Sequence, residues 1–139
     1  MKEVVINNCY GGFSLSAEAI VEIAKAQGKQ VFFYEHQNPF TPDKFCKITP
    51  PFISNSYYSL LVDLGDIANE LPNDFSLWFN DRDIPRDDPD LIKVVKNLKA
   101  KANGSCANLK IIKIPNDVKW EIEEYDGMEL VAESHRTWE

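Results

Sequence analysis

Apolar residues in this chain fall into short blocks separated by breaks rich in glycine, proline and asparagine, and the spacing inside each block predicts its element. Val4-Val5-Ile6 is a β-branched run that reads as a buried first strand. Asn7 to Phe13 follows as a loop, in which Gly11 and Gly12 can take backbone angles that other residues avoid. A helix opens after it, with Ser16 as N-cap and Glu18 in the first turn. Ile20, Ile23, Ala24 and Gln27 recur at helical spacing, and Gly28 stands where a helix ends. Val31 to Tyr34 is the next strand, so the opening is expected to be βαβ-like with its two strands parallel.

The segment from His36 to Ser56 holds Pro39, Pro42, Pro50 and Pro51, which predicts an irregular excursion and excludes a central strand. Tyr57 to Val62 reads as a strand, Asp63 to Leu71 as a short helix or helical turn, and Leu77 to Phe79 as another short strand. Asp88 and Pro89 form an N-cap and first-turn pair, and Leu91, Val94, Val95, Leu98 and Ala102 mark a helix face that stops at Asn103-Gly104. Leu109 to Ile114 is a strand closed by Pro115. The rest predicts a hairpin with Tyr125-Asp126-Gly127 as a three-residue loop, which sets Ile122 opposite Leu130 and Glu123 opposite Glu129. A two-residue loop would set Glu124 opposite Glu129 instead. The class expected is α+β with an α/β-like start: one domain over residues 1–139, a mixed β-sheet, two main helices covering one face and a C-terminal β-hairpin.

Charge and composition narrow the partners. Fifteen Lys and Arg against 22 Asp and Glu give a net charge of −7, unsuited to general binding of polymeric nucleic acid or of an anionic membrane. No apolar run approaches the roughly 18 residues of a membrane span, and Met1-Lys2-Glu3 does not open a secretory leader. Cys9, Cys46 and Cys106 are an odd number without paired spacing, which predicts a reducing, cytoplasmic setting and neither a disulfide framework nor a zinc site. His36 beside Glu35 has no partner at metal-ligand spacing, and neither metal nor cofactor is expected.

Three clusters carry candidate chemistry. In the glycine loop, the backbone N–H groups of Gly11 and Gly12 can meet an anion at a helix N-terminus, Asn7 and Asn8 add amide donors, and Tyr10 and Phe13 offer flat faces. The pattern matches neither common phosphate-loop motif, and on composition alone it better suits a tight strand-to-helix turn without a ligand. There are three arginines, Arg82, Arg86 and Arg136, each able to form the bidentate pairs that lysine cannot. Arg82 between Asp81 and Asp83 suits local salt bridging, while Arg86 is a candidate for ligand binding. At the terminus, His135, Arg136 and Trp138 combine a phosphate-binding group with an indole that can stack on a base, or else pack as an ordinary tail. Cys9 with His135 as base would be a nucleophile pair, although a lone cysteine also serves as a small buried hydrophobe.

The segments Val5-Ile6-Asn7-Asn8-Cys9-Tyr10-Gly11-Gly12-Phe13-Ser14-Leu15-Ser16, Arg82 to Pro89, and Glu123-Glu124-Tyr125-Asp126-Gly127 on to His135-Arg136-Thr137-Trp138 together resemble a family of small proteins carried by bacteriophages and prophages. The resemblance spans nearly the whole chain and implies a phage protein acting in the cytoplasm of an infected bacterium. It points to similarity with anti-defence sponges that oppose Thoeris or cyclic-nucleotide signalling, which bind an immune nucleotide without cleaving it, usually at a homo-oligomer interface. No binding residue is carried over from that group. The expectation is a nucleotide-sequestering homo-oligomer, with the proline-rich arm from His36 to Ser56 reaching a neighbour. The alternatives are a Cys9-dependent hydrolase or transferase and an inhibitor that grips a host protein through its acidic hairpin.

Overall fold

A computed structural model of the chain describes residues 1–38, 41–50 and 57–133, with backbone alone at 37–38 and 41–43. β1 (Lys2–Asn7) leads into α1 (Ala17–Ala26), followed by β2 (Phe32–Asn38), β3 (Thr41–Ile48), β4 (Tyr58–Leu60) and β5 (Ile67–Ala68). Two 3₁₀ turns, Phe75–Leu77 and Asp81–Asp83, precede α2 (Pro89–Leu98), and a third, Lys99–Ala102, follows it. β6 (Leu109–Ile114), β7 (Trp120–Tyr125) and β8 (Met128–Glu133) complete the described elements. The class is α+β, with two helices, several sheets and a C-terminal hairpin.

Both helices begin where their caps predict. Ser16 Oγ accepts from the Ala19 amide at 3.1 Å, and the Asp88 carboxylate accepts from Asp90 and Leu91 ahead of α2, with Pro89 in its first turn. Gly28 follows the end of α1 with a φ of 71°. The apolar faces of α1 and α2 meet in the main core, where Ala19, Ile20, Ile23, Leu91, Val94 and Val95 pack with Val5 of β1, Phe33 of β2, and Phe13 and Leu15 of the intervening loop.

β1 pairs with β6 as a two-stranded ribbon whose two faces are both covered. Val5 points to the helices, while Val4 and Ile6 join Ile114 in a second cluster roofed by Trp120, Ile122 and Val131 of the hairpin. Burial on both faces explains why β1 reads as an unbroken apolar run. β2 is used the same way: Phe33 enters the main core and Tyr34 a third cluster with Phe45, Leu60 and Ala68.

Five expectations are corrected. β1 and β2 are not parallel neighbours: β2 has antiparallel partners on both edges in the order β4-β2-β3-β5, so β1 takes β6, and every pairing among the described strands is antiparallel. The segment after His36 is no excursion in its described part, since residues 41–48 form β3, an interior strand. Pro42 is accommodated where the β2–β3 register shifts beyond His36, outside the regular ladder. Pro39 and residues 51–56, which the expected arm reaching a neighbour includes, lie outside the described residues. Residues 63–71 form turns and the short β5 rather than a helix: Asp63 accepts from the Gly65 amide, and Lys47 N–H donates to the Asp66 carbonyl. Residues 77–79 form no strand: Leu77 ends the first 3₁₀ turn, and Trp78 makes a single bridge to Leu60.

The fifth correction concerns the hairpin. Asp126 and Gly127, with φ of 50° and 88°, make a two-residue loop in which both residues are left-handed. Tyr125 therefore faces Met128, Glu124 faces Glu129, and Glu123 faces Leu130. The three-residue register is the one the sequence favours, because it sets Ile122 opposite Leu130 and keeps Glu123 with Glu129 on the solvent face, where the two-residue register sets Glu123 opposite Leu130. Glu129 is instead buried against a guanidinium, which offsets the repulsion that the sequence alone implies.

Candidate functional site

The glycine loop, Arg86 and the hairpin tip, far apart in sequence, meet in one joint. Asn7 is fully buried, and its carboxamide is committed within the chain. Nδ2 donates to the carbonyls of Cys9 (2.9 Å) and Gly127 (2.8 Å), and Oδ1 accepts from the Asn108 amide at 2.9 Å. The Asn7 amide donates to Glu129 Oε1 at 2.8 Å. Arg86 holds both Glu129 oxygens, at 2.5 and 2.9 Å, while its guanidinium lies 3.6 Å from the centre of the buried Phe13 ring. The Arg86 carbonyl accepts from the Val5 amide, so the same residue is fixed to β1 through its backbone.

Glycine is required at the joint for space as well as angle. A Cβ on Gly127 would fall against the backbone nitrogens of Gly11 and Gly12, and one on Gly11 against the Cys106 carbonyl. The hairpin tip thus fills the space above the two N–H groups expected to meet an anion. Asn8 and Tyr10 are exposed at its edge. Cys9 Sγ donates to the Cys106 carbonyl at 2.8 Å. His135, Arg136 and Trp138 lie outside the described residues. Among the sequence-predicted positions, the structure brings together Asn7, Gly11, Gly12, Phe13 and Arg86, and ties them to Glu129 and Gly127.

Open space lies elsewhere, in a groove along one side of α1 at the edge of the main core. Its larger cleft, about 730 Å³, runs between Glu18, Val21, Glu22 and Lys25 of α1 and the ends of β2 and β3 at Phe32, Phe33, Lys47 and Ile48. Lys29 and Asp63 stand on its rim. Helical spacing puts residues 18, 21, 22 and 25 on one stripe, and pairing of β2 with β3 sets Phe33 opposite Ile48 as the apolar wall. A second cleft of about 440 Å³ adjoins it at Glu18 and Pro50, lined by Ser14, Ser16, Tyr57, Ser59, Phe79, Asp81 and Asn103. Both volumes fall in the range of small-molecule sites.

The larger cleft balances three lysines with three carboxylates, and two of its cations are engaged. Lys47 donates to Asp63 at 2.6 Å and lies 5.1 Å from the Phe32 ring centre, while Lys25 is 3.9 Å from Glu22. The Asp63 bond holds the Lys47 ammonium above its ordinary pKa. Lys47, then the Gly65 amide, holds the Asp63 carboxyl below its own. In the smaller cleft, burial first and the Asp81 carboxylate second push the Tyr57 phenol up, so it is a neutral hydroxyl at physiological pH. Asp81 is itself positioned by the Leu15 amide, which donates to Oδ2 at 3.0 Å.

Lys25, Lys29, Lys47, Tyr57 and Asp81 are cleft residues that the sequence does not single out. The stripe at 18, 21, 22 and 25 is legible as the outer face of an amphipathic helix, but Lys47 and Asp81 join it through tertiary contacts without local signature. No group of three or more His, Cys, Asp or Glu side chains suited to a metal occurs among the described residues, and no described helix is long and apolar enough to cross a membrane. Comparison with protein-family models, with curated proteins and with solved structures finds no match.

Proposed function

We propose that this protein sequesters a small ring-bearing anion of the nucleotide class in the α1 groove and releases it unchanged, acting as a phage anti-defence sponge in the infected cell. The observation that carries the reading is the groove itself: a cleft of about 730 Å³ with an apolar wall at Phe33 and Ile48 and lysines at positions 25, 29 and 47. The three ammonium groups, balanced in the empty cleft by Glu18, Glu22 and Asp63, supply counter-charge for phosphate by exchanging these exposed ion pairs for it, and Phe32 adds an aromatic face at the same rim. The phage setting rests on the sequence resemblance. The Cys9 thiol, bonded to the Cys106 carbonyl, favours holding a ligand over attacking one.

The test is incubation of the purified protein with a nucleotide panel that includes cyclic dinucleotides, cyclic trinucleotides and cyclic ADP-ribose isomers, followed by heat denaturation and mass spectrometry. Sequestration predicts a nucleotide depleted from solution and recovered with its mass intact. Recovery with a changed mass would make the protein an enzyme and bring Cys9 forward. Depletion of no nucleotide would contradict the proposal.

A second reading has its own observation. The two-residue hairpin loop turns Glu121, Glu123, Tyr125 and Leu130 to one face, with Tyr125 74% and Leu130 53% exposed. Such an acidic, partly apolar face suits a basic host protein, and its binding would weaken steeply with salt.

A further inference from the structure

Resting on the reading of the α1 groove as a nucleotide site, we infer that the smaller cleft is its sugar subsite and that Asp81 recognises a pair of adjacent hydroxyls. The two clefts share Glu18 and Pro50, so one ligand can cross from the lysine half to the other. Their chemistry differs. The larger cleft has ammonium groups and an apolar wall, whereas the smaller presents Asp81, Tyr57 and the hydroxyls of Ser14 and Ser59 beside the Phe79 ring.

A phosphate is disfavoured in the smaller cleft, because Glu18 and Asp81 would repel it without a lysine or arginine among the described lining residues. Hydroxyl groups are favoured. An ionised carboxylate accepts only, with two oxygens spaced to take hydrogen bonds from neighbouring hydroxyls, which is how an acidic residue reads a ribose. Asp81 is held ready for such a contact. The Leu15 amide holds Oδ2, and the 3₁₀ turn that carries Asp81 is capped by Asn80, whose side chain accepts from the Arg82 amide. Tyr57, kept as a neutral phenol by burial and by Asp81, adds a hydroxyl at the same wall. The ligand is therefore a nucleotide with a free vicinal diol, its phosphate side toward the lysines.

The experiment compares ADP with 2′,3′-dideoxy-ADP by isothermal titration on the wild-type chain and on Asp81→Asn. Asparagine keeps an oxygen for the Leu15 amide while removing the charge. The wild type is expected to favour ADP by about tenfold or more, the usual scale for a hydrogen bond to a charged group. Asp81→Asn is expected to lose that preference, with both nucleotides binding alike. The wild-type comparison decides the diol without any variant needing to fold, and thermal melting verifies the fold of Asp81→Asn. Equal affinity of the wild type for both nucleotides would overturn the sugar subsite while leaving sequestration in place. A preference that survives in Asp81→Asn would overturn the role of Asp81. Failure of both nucleotides to bind would overturn the inference, and the nucleotide panel judges sequestration separately.

Discussion

The glycine-loop joint and the α1 groove lie at opposite ends of the Ser14–Ser16 segment and use polar groups in opposite ways. At the joint, Asn7 and Glu129 are buried, Arg86 is half-buried, and the three are bonded to one another or to backbone, so their polarity fixes the hairpin on the ribbon. In the groove, Lys29, Glu22 and Lys25 are exposed on an open wall, and the ion pairs among its described residues join surface side chains. The comparison teaches that chemistry-rich residue types mark a demanding place in the fold as readily as a ligand site. Arginine, asparagine and paired glycines are what a crowded polar junction needs, because each buried donor must find an acceptor.

Perturbations of the two regions should therefore separate stability from binding. Glu129→Ala leaves the largely enclosed Arg86 guanidinium without its partner and should cost about 3 kcal/mol in urea denaturation, with the hairpin amides losing hydrogen-exchange protection. A loss under about 1 kcal/mol, the scale of an exposed pair, would show that the joint does not hold the hairpin. Gly127→Ala forces a Cβ against the backbone of Gly11 and Gly12 at a positive φ, and should cost about 1–3 kcal/mol or more by the same measurement. Asp88→Ala sharpens the boundary between the regions. Its carboxylate is committed to the Asp90 and Leu91 amides at the start of α2, outside both clefts, so the change should cost about 1 kcal/mol while leaving nucleotide affinity unaltered. Lys29→Glu should do the reverse, shifting stability by less than about 0.5 kcal/mol and weakening ADP binding in titration.

The smallest effect is the pH dependence of the groove rim. Asp63 is held below its ordinary value of 3.8, so its contribution is present above that value and is lost as pH falls through the lowered one. Lys47 is held above its ordinary value of 10.5, so its contribution is present below that and is lost as pH rises through the raised one. Both losses should be slight for an exposed pair and should shrink further with salt. Asp63→Asn should flatten both flanks of the stability-against-pH profile, which denaturation at a series of pH values will read.

Local signals give correct elements wherever the deciding contacts are local. Ser16 and the Asp88-Pro89 pair announce the helix starts because a cap acts within three residues, and the β-branched runs announce β1 and β6. The hairpin register is illegible because Glu129 turns inward for Arg86, 43 residues earlier. The parallel β1–β2 pairing fails for a similar reason, since β2 has both edges taken by strands that follow it. Pro42 argues against a strand, yet a proline at a register shift interrupts little of the ladder. The joint is legible as a set of unusual residues, though not as architecture. The groove is illegible: Lys29 and Lys47 look like ordinary surface positions until α1 and the β2–β3 pair are brought together.

The central claim is that the ligand site is the groove and the glycine loop is architecture. It is tested most directly by titrating ADP into ¹⁵N-labelled protein and following backbone amide shifts. The account predicts saturating shifts at residues 17–29, 47–49 and 57–59, with the amides of Asn7 to Phe13 and of Gly127 and Glu129 unmoved. Shifts centred on Gly11, Gly12 and Gly127, with α1 silent, would contradict it.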